Sequence, residues 1–545
     1  MSSDVLQLAA TLPRVHYIEE DSSIFAQSAP WNLQRLLQPH GGTSENGTYR
    51  PPNDGGMAAV YLMDGDVQIS HREIEGRVLV SDFINVPEED GVRVHRQASQ
   101  CDSHGTHVAG VVSGSDSGVA RGAGVNLVRV LNCQGKGTVS GALAGLEYIR
   151  SALQSRPLAA VVLLLPFVGG FSRSLNAACR DMVAHGVVVV AAAGNYRDDA
   201  CLYSPASEPE VITVGAVNSA DQLMSQGAGG TNFGRCVDLF APGDDIVSAS
   251  SDCSACFTSR SGTSQAAAHA AGVAAVILSS NQKASPVQVL QAMLRYSVSN
   301  AIHFLSLSDT SRLITPNLVA AMPPANGTNE ELLCRSVWSE RSGVTSADEA
   351  VSRCRRGEEM MSCSGFSPAG DQVGETITVN GGQTECVVHN APGVKGVFAV
   401  ARCCVTGGLR CRVHARDAEC VDHHLSGCAS RSAASTSSSD PRPPGGDRRR
   451  CVVEDGPTSH AVCCHAPSLE CNLLENRSAD EDQVEVSCPS GWTLTDCSAV
   501  SQGSAVMEPV ASGTSCRVRG NAGAGGAAGV AVCCRVRPTQ SDTSL

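Results

Sequence analysis

Between about residues 57 and 310 the chain alternates apolar runs with helical patterns. The runs VYLMD, LVRVL, AVVLLLP, VVVVAAAG and VITVGA are continuous and rich in β-branched residues. Parallel strands buried on both faces read this way, and the stretches between them carry helical periodicity, so an α/β domain is predicted. Upstream, Val5 to Ala10 predicts a short helix and Arg14 to Glu19 (RVHYIE) a strand. Past residue 315 the pattern changes. Asn317 to Asn329 is rich in Pro, Ala and Asn and reads as a linker, and the strands predicted beyond it are short and interrupted by cysteine.

Those cysteines repeat. They fall into three sets of six: Cys334, Cys354, Cys363, Cys386, Cys403, Cys404; Cys411, Cys420, Cys428, Cys451, Cys463, Cys464; and Cys471, Cys488, Cys497, Cys516, Cys533, Cys534. Each set ends in an adjacent pair, and the second-to-third gap is always 8 or 9 residues. Three copies of one module are the economical explanation. So small a unit has a poor core and needs about three bridges. Fifteen pairings are formally open to six cysteines; first-to-sixth, second-to-fifth and third-to-fourth is the expected set. Ser437 to Arg450 and Gly520 to Gly529 then fall inside modules, as loops.

Composition narrows the class. The chain has 545 residues, 42% hydrophobic and 17% charged, with a net charge of −14. That length calls for three or more domains, and the acidic balance argues against coating phosphate backbones. The richest apolar run, Leu158 to Phe171, is broken by Pro and Gly, so no membrane helix is expected. The 25 cysteines suit an oxidising compartment, as do glycosylation sequons at Asn46, Asn326 and Asn476. Met1 to Asp21 lacks the basic start and apolar run of a signal peptide, so the chain is expected to be an incomplete secretory precursor.

Candidate chemistry sits in four segments. Asp64 ends the YLMD strand, His104 opens a helix in CDSHGTHVAG, Asn195 follows the VVVVAAAGN strand, and Ser264 in SGTSQAAAH leads an alanine-rich helix. Asp, His and Ser in this order suit a nucleophilic triad. Ser264 needs a base, which neutral His104 supplies, with Asp64 fixing its tautomer. The Asn195 amide is placed to donate to an oxyanion. HGTH has no third ligand nearby, so zinc is not expected.

These motifs closely resemble the subtilisin-like serine proteases (subtilases) over roughly residues 57–300. The resemblance implies catalytic Asp64, His104 and Ser264, oxyanion Asn195, and a substrate cleft lined by Pro166 to Gly170. Two segments depart from the family: Phe167 to Gly169 replaces Ser-Leu-Gly, and Ala268-His269 replaces Pro-His. The implied fold class is α/β: a subtilisin-like parallel-sheet catalytic domain (28–314), a linker (315–330), and an all-β, disulfide-stapled C-terminal domain of three repeated modules (331–405, 406–465, 466–545). Residues 1–27 are then the C-terminal remnant of an inhibitor-type propeptide. The implied bridges are Cys101–Cys133, Cys201–Cys236 and Cys253–Cys256. Cys179 is left over on an apolar helix face as an inert thiol.

YIEEDSSIFAQ followed by SAPWNL, SHREIEGRV, NCQGKGTVSG and the three modules look like a secreted proprotein convertase of this family whose mature task is binding. That implies self-cleavage between Gln27 and Ser28, after which the propeptide stays in the cleft as a partner. It also implies capture of the EGF-like module of the low-density-lipoprotein receptor and related receptors through Ser28, Arg72, Asp116, Asp252, Cys256 and Phe257. Ala255 stands where that convertase has a hydroxyl. The expected route is endoplasmic reticulum, Golgi and secretion, then cell surface, endosome and lysosome with the receptor. The expected state is a monomer without nucleic acid, and the runner-up function is a trans-acting convertase. A structural Ca²⁺ is implied at Asp238 and Thr213. Six histidines in the modules (His389, His414, His423, His424, His460, His465) are candidates for endosomal protonation.

Overall fold

The computed structural model describes residues 11–13, 15, 29–38, 48–87, 101, 103–324, 331–368, 374–390, 396–415, 420, 424–431, 458–478, 483–500, 507–520 and 527–537. The helix expected at Val5 to Ala10, the strand at Arg14 to Glu19 and the sites Gln27, Ser28, Asn46 and Asn326 lie outside them in whole or in part.

The apolar runs are strands β1 (Ala59–Asp64), β3 (Gly124–Arg129), β4 (Val161–Leu165), β5 (Val188–Ala192) and β6 (Ile212–Val217). With β2 (Val78–Ile84) and β7 (Leu239–Pro242) they form a parallel sheet in the order β7-β6-β5-β4-β1-β3-β2. Two short strands, Leu318–Val319 and Val298–Ser299, extend the β7 edge to nine strands. Alternation sends neighbouring residues to opposite cores. Val162 and Leu164 join one cluster with helices α2 (Ser103–Ser113) and α5 (Thr263–Ser280). Val161, Leu163 and Leu165 join another with α3 (Val139–Ser155) and α4 (Arg173–Ala184). Both faces are covered, so the strands need no polar alternate positions. The short helix α1 (Trp31–Leu36) packs Leu33 and Leu36 into the first cluster.

The C-terminal region is all β. The first module has two three-stranded antiparallel sheets, Leu333–Trp338 with Phe398–Val405 and Glu359–Phe366, and Glu349–Arg353 with Gln383–His389 and Gly374–Asn380. The third repeats this arrangement, and one such sheet is described for the second. Bridges join Cys334–Cys404, Cys354–Cys403, Cys363–Cys386, Cys411–Cys464, Cys420–Cys463, Cys471–Cys534, Cys488–Cys533 and Cys497–Cys516. These are the expected first-to-sixth, second-to-fifth and third-to-fourth pairs; Cys451 of the second module lies outside the described residues.

The repeat reappears at matched bulges, between Met360 and Ser362, Leu425 and Gly427, and Leu494 and Asp496. A closed ring of hydrogen bonds links them. Ser426 donates to the Met361 carbonyl (3.0 Å), Ser362 to the Thr495 carbonyl (2.8 Å), and Thr495 to the Ser426 carbonyl (3.3 Å). Gly427 must be glycine here, since a Cβ would lie 2.4 Å from the Met361 carbonyl oxygen. Gly427→Val is expected to destabilise the modules by about 1–3 kcal/mol through overpacking. A thermal melt in which the C-terminal transition drops and the protease transition stays put would show it.

Candidate active site

Strand β1 delivers Asp64 to the sheet's C-terminal edge, where its side chain is only 1% exposed. His104 is the second residue of α2, and its Nδ1 lies 2.9 and 2.8 Å from the two Asp64 oxygens. Asp64 Oδ1 also accepts from the Gly65 N–H at 2.6 Å, which locks the carboxylate. Nδ1 therefore carries the proton, and Nε2 is left basic toward the cleft. Burial pulls the imidazole's pKa down, the Asp64 charge and hydrogen bond more than reverse this, and Arg260 opposes them; the net direction is upward from 6.5. A general base must be neutral. The acid limb of the pH–rate profile is thus expected above pH 6.5, and a limb below that value would contradict the geometry.

Ser264 is the second residue of α5 and follows Gly262 and Thr263. Its hydroxyl donates to the Pro166 carbonyl at 2.7 Å, so in this resting geometry it is turned toward the segment after β4. Catalytic hydrogen bonds often tighten only with substrate bound, and a χ1 rotation returns Oγ to the histidine side.

Asn195 shows how an oxyanion donor is aimed. Thr263 donates to its Oδ1 twice, from N–H and from Oγ1, both at 2.9 Å. The acceptor end of the amide is therefore taken up, and Nδ2 faces the cleft near Gly262. Gly194, at φ +104°, makes the turn; a Cβ there would meet Asn232 Nδ2 at 2.4 Å. Asn232 in turn accepts from the N–H groups of Tyr196 (2.9 Å) and Asp198 (3.1 Å), which sets the loop. Neither Thr263 nor Asn232 was singled out from sequence, although Thr263 lies inside the SGTS motif. Asn195→Ala is expected to slow acylation about 10²- to 10³-fold with little change in KM, read by single-turnover kinetics.

The cavity beside these groups has a volume of roughly 380 Å³ and is lined by His104, Asn195, Ser264, Gln226, Arg260 and Gln265 among others. The cleft segment Pro166 to Gly170 contributes Pro166, and its Gly169–Gly170 pairs antiparallel with Tyr203–Ser204. His107 of the HGTH motif is no metal ligand. Its Nε2 faces the carbonyls of Ile246 (2.9 Å) and Thr258 (3.2 Å), and burial pushes its pKa down to about 3. His269 is likewise buried, with Nε2 2.7 Å from Asn32 Nδ2 and Nδ1 2.8 Å from the Gln265 carbonyl. His269, the position shared with the family's Pro-His, thus tethers α1 to the serine helix.

The remaining expected residues divide. Cys101–Cys133, Cys201–Cys236 and Cys253–Cys256 are bonded. Cys179 is free and buried, and burial pushes its thiol pKa up, leaving it unreactive. Asn476 is exposed on a strand, with Nδ2 donating to the Glu485 carbonyl at 3.1 Å. Arg72, Asp116 and Phe257 come together on the surface. The Arg72 guanidinium lies 5.2 Å from the Phe257 ring centroid and 3.4 Å from Asp116. Asp252 sits nearby in sequence, on the loop braced by Cys253–Cys256, and accepts from Ser250 at 2.8 Å. Among the module histidines, His389 pairs with Glu349 at 2.8 Å, and burial lowers the pKa of His460.

The calcium expectation at Asp238 and Thr213 is corrected. Arg355 of the first module donates to both Asp238 oxygens (2.8 and 3.0 Å) and to the Val211 carbonyl (3.0 Å). Thr213 N–H donates to Asp238 Oδ2 at 2.9 Å, and Thr213 Oγ1 donates to the Ala206 carbonyl. A guanidinium already neutralises the one carboxylate, so these residues do not fit Ca²⁺. The buried trio Cys354, Glu358 and Cys403 offers no metal site either, since its two sulfurs form a disulfide.

A parallel sheet carrying an Asp–His pair, a helix-borne serine and an aimed asparagine amide defines a subtilisin-like serine endopeptidase. The subtilase family model matches residues 55–320. Models of the proprotein convertase subtilisin-like/kexin type 9 C-terminal domain match residues 326–408 and 465–537. A solved cold adapted subtilisin-like serine proteinase is 33% identical over 55% of this chain and 100% of its own, with a TM-score of 0.46. The chain belongs to the subtilase family, within it to the type 9 convertases whose C-terminal domains it carries. Subtilases commonly bind structural calcium, but Asp238 and Thr213 are not arranged to hold it in this chain. Among the described residues no helix is long and apolar enough to cross a membrane.

Proposed function

We propose that this endopeptidase cuts itself once, between Gln27 and Ser28, keeps residues 1–27 in its cleft as a bound product, and then acts by binding. Ser264 is the nucleophile, His104 the general base and then acid, Asp64 its orienter, and Asn195 the oxyanion donor. A retained product strand blocks the cleft at high effective concentration, which limits the enzyme to one turnover. The mature protein is secreted, captures the EGF-like module of low-density-lipoprotein-receptor-family receptors and promotes their lysosomal degradation, lowering lipoprotein clearance. The observation that carries the binding half is the Arg72–Phe257–Asp116 cluster beside a disulfide-braced loop. An aromatic side chain held by a cation that itself pairs with Asp116 suits an interface anchor.

The test begins with secreted material, whose N-termini are sequenced and whose co-purifying segments are identified. A mature chain starting at Ser28 with residues 1–27 bound supports the reading. Release of that segment with turnover of added peptides would favour the runner-up, a trans-acting convertase. For the binding half, Phe257→Ala is expected to weaken capture of the EGF-like module by about 2 kcal/mol or more, measured by surface plasmon resonance. Equal affinity for the variant would remove the cluster from the interface.

A further inference from the structure

Arg260 ends the strand Phe257–Arg260, which pairs antiparallel with Ile246–Ala249 so that Arg260 lies opposite Ile246. Its neighbours on the same cavity wall are already engaged: Ser259 donates to Asp245, and Ser261 donates to Asp244 at 2.6 Å. Arg260 itself lines the cavity, together with His104, Asn195 and Ser264. No carboxylate among the described residues pairs with it there, and its Nε is buried without a partner. Its charge reaches His104 and His107, opposing protonation of both.

An unpaired guanidinium beside the general acid marks one side of the scissile bond. His104 hands its proton to the leaving amine, so residues after the bond depart past it. We propose that Arg260 is a specificity-determining residue that selects an acidic side chain immediately after the scissile bond. A carboxylate there gains a charge-assisted hydrogen bond from a donor otherwise left unsatisfied, while a lysine meets like charge. The chain's own junction continues Ser28, Ala29, Pro30, all uncharged, so it gives a neutral baseline that charge shifts in either direction.

The test rests on the self-cleavage reading and uses the full precursor with Ser28→Asp or Ser28→Lys, each on Arg260 and on Arg260→Glu. With Arg260, the Asp junction is expected to be cut about tenfold faster than the Lys junction, and Arg260→Glu reverses the order. Arg260→Gln brings the ratio near one and serves if the charge reversal fails to fold. The same ratio in all backgrounds overturns the proposal. If the unaltered junction is never cut, self-cleavage is what fails. Arg260 is then read in trans, by protection of Ser264 from a fluorophosphonate label by decapeptides carrying Asp or Lys after Gln. Stronger protection by the Asp peptide that inverts in Arg260→Glu supports it; equal protection overturns it.

Discussion

Ser264→Ala is expected to lower the rate of cleavage at Gln27–Ser28 by about a million-fold, and Asp64→Asn by about ten-thousand-fold. The first loss is the nucleophile itself. The second follows from the hydrogen-bond directions around Asp64. Its Oδ1 must accept from the Gly65 N–H at 2.6 Å, so an Asn side chain would keep its oxygen there and place its NH₂ at the Oδ2 position, the closer of the two to His104 Nδ1 at 2.8 Å. Nδ1 would then have to accept, its proton would move to Nε2, and no base would face Ser264. Asp64→Asn should therefore preserve the fold and lose the reaction. The readouts are the fraction of precursor cut and the labelling of Ser264 by a fluorophosphonate. Precursor cut normally in the Ser264→Ala protein would mean that another protease acts and this triad is idle.

Much of this site was legible because the chemistry constrains short, local motifs. Asp64, His104, Asn195 and Ser264 each stand at a strand end or helix start, and the period of the flanking residues gives those positions away. The module bridges were legible for a related reason: three copies of one spacing make a shared pairing the economical choice. What the sequence hid depends on contacts between distant segments. Thr263 aims Asn195 across a separation of 68 residues, and Arg260 reaches the catalytic cavity from a strand paired with Ile246–Ala249. Strand β2, with its exposed Leu79, Val80 and Ile84, lacks the buried pattern of its neighbours and drew no prediction.

Asp238 carries the same lesson, and the resemblance misled there because its partner sits 117 residues away in the first C-terminal module. Arg355→Ala is expected to destabilise the protein by about 3–5 kcal/mol. The two side chains are 7% and 10% exposed, so removing the guanidinium strands a carboxylate away from water. The loss falls at the junction between protease and modules. Close by, Glu358 accepts from Arg335 at 2.7 and 2.9 Å and from Gln291 of the helix Pro286–Tyr296. A lost Arg355 should therefore lower the melting temperature and loosen the protease–module junction, seen as faster proteolysis between residues 320 and 331. Ca²⁺ offers a sharper discrimination, because the freed Asp238 and the Val211 carbonyl become available oxygen ligands. Added Ca²⁺ should restore part of the lost stability in Arg355→Ala and leave the unaltered protein's melting temperature where it was. If the unaltered protein gained as much, or fell on chelation, the guanidinium would not be what holds Asp238 in solution.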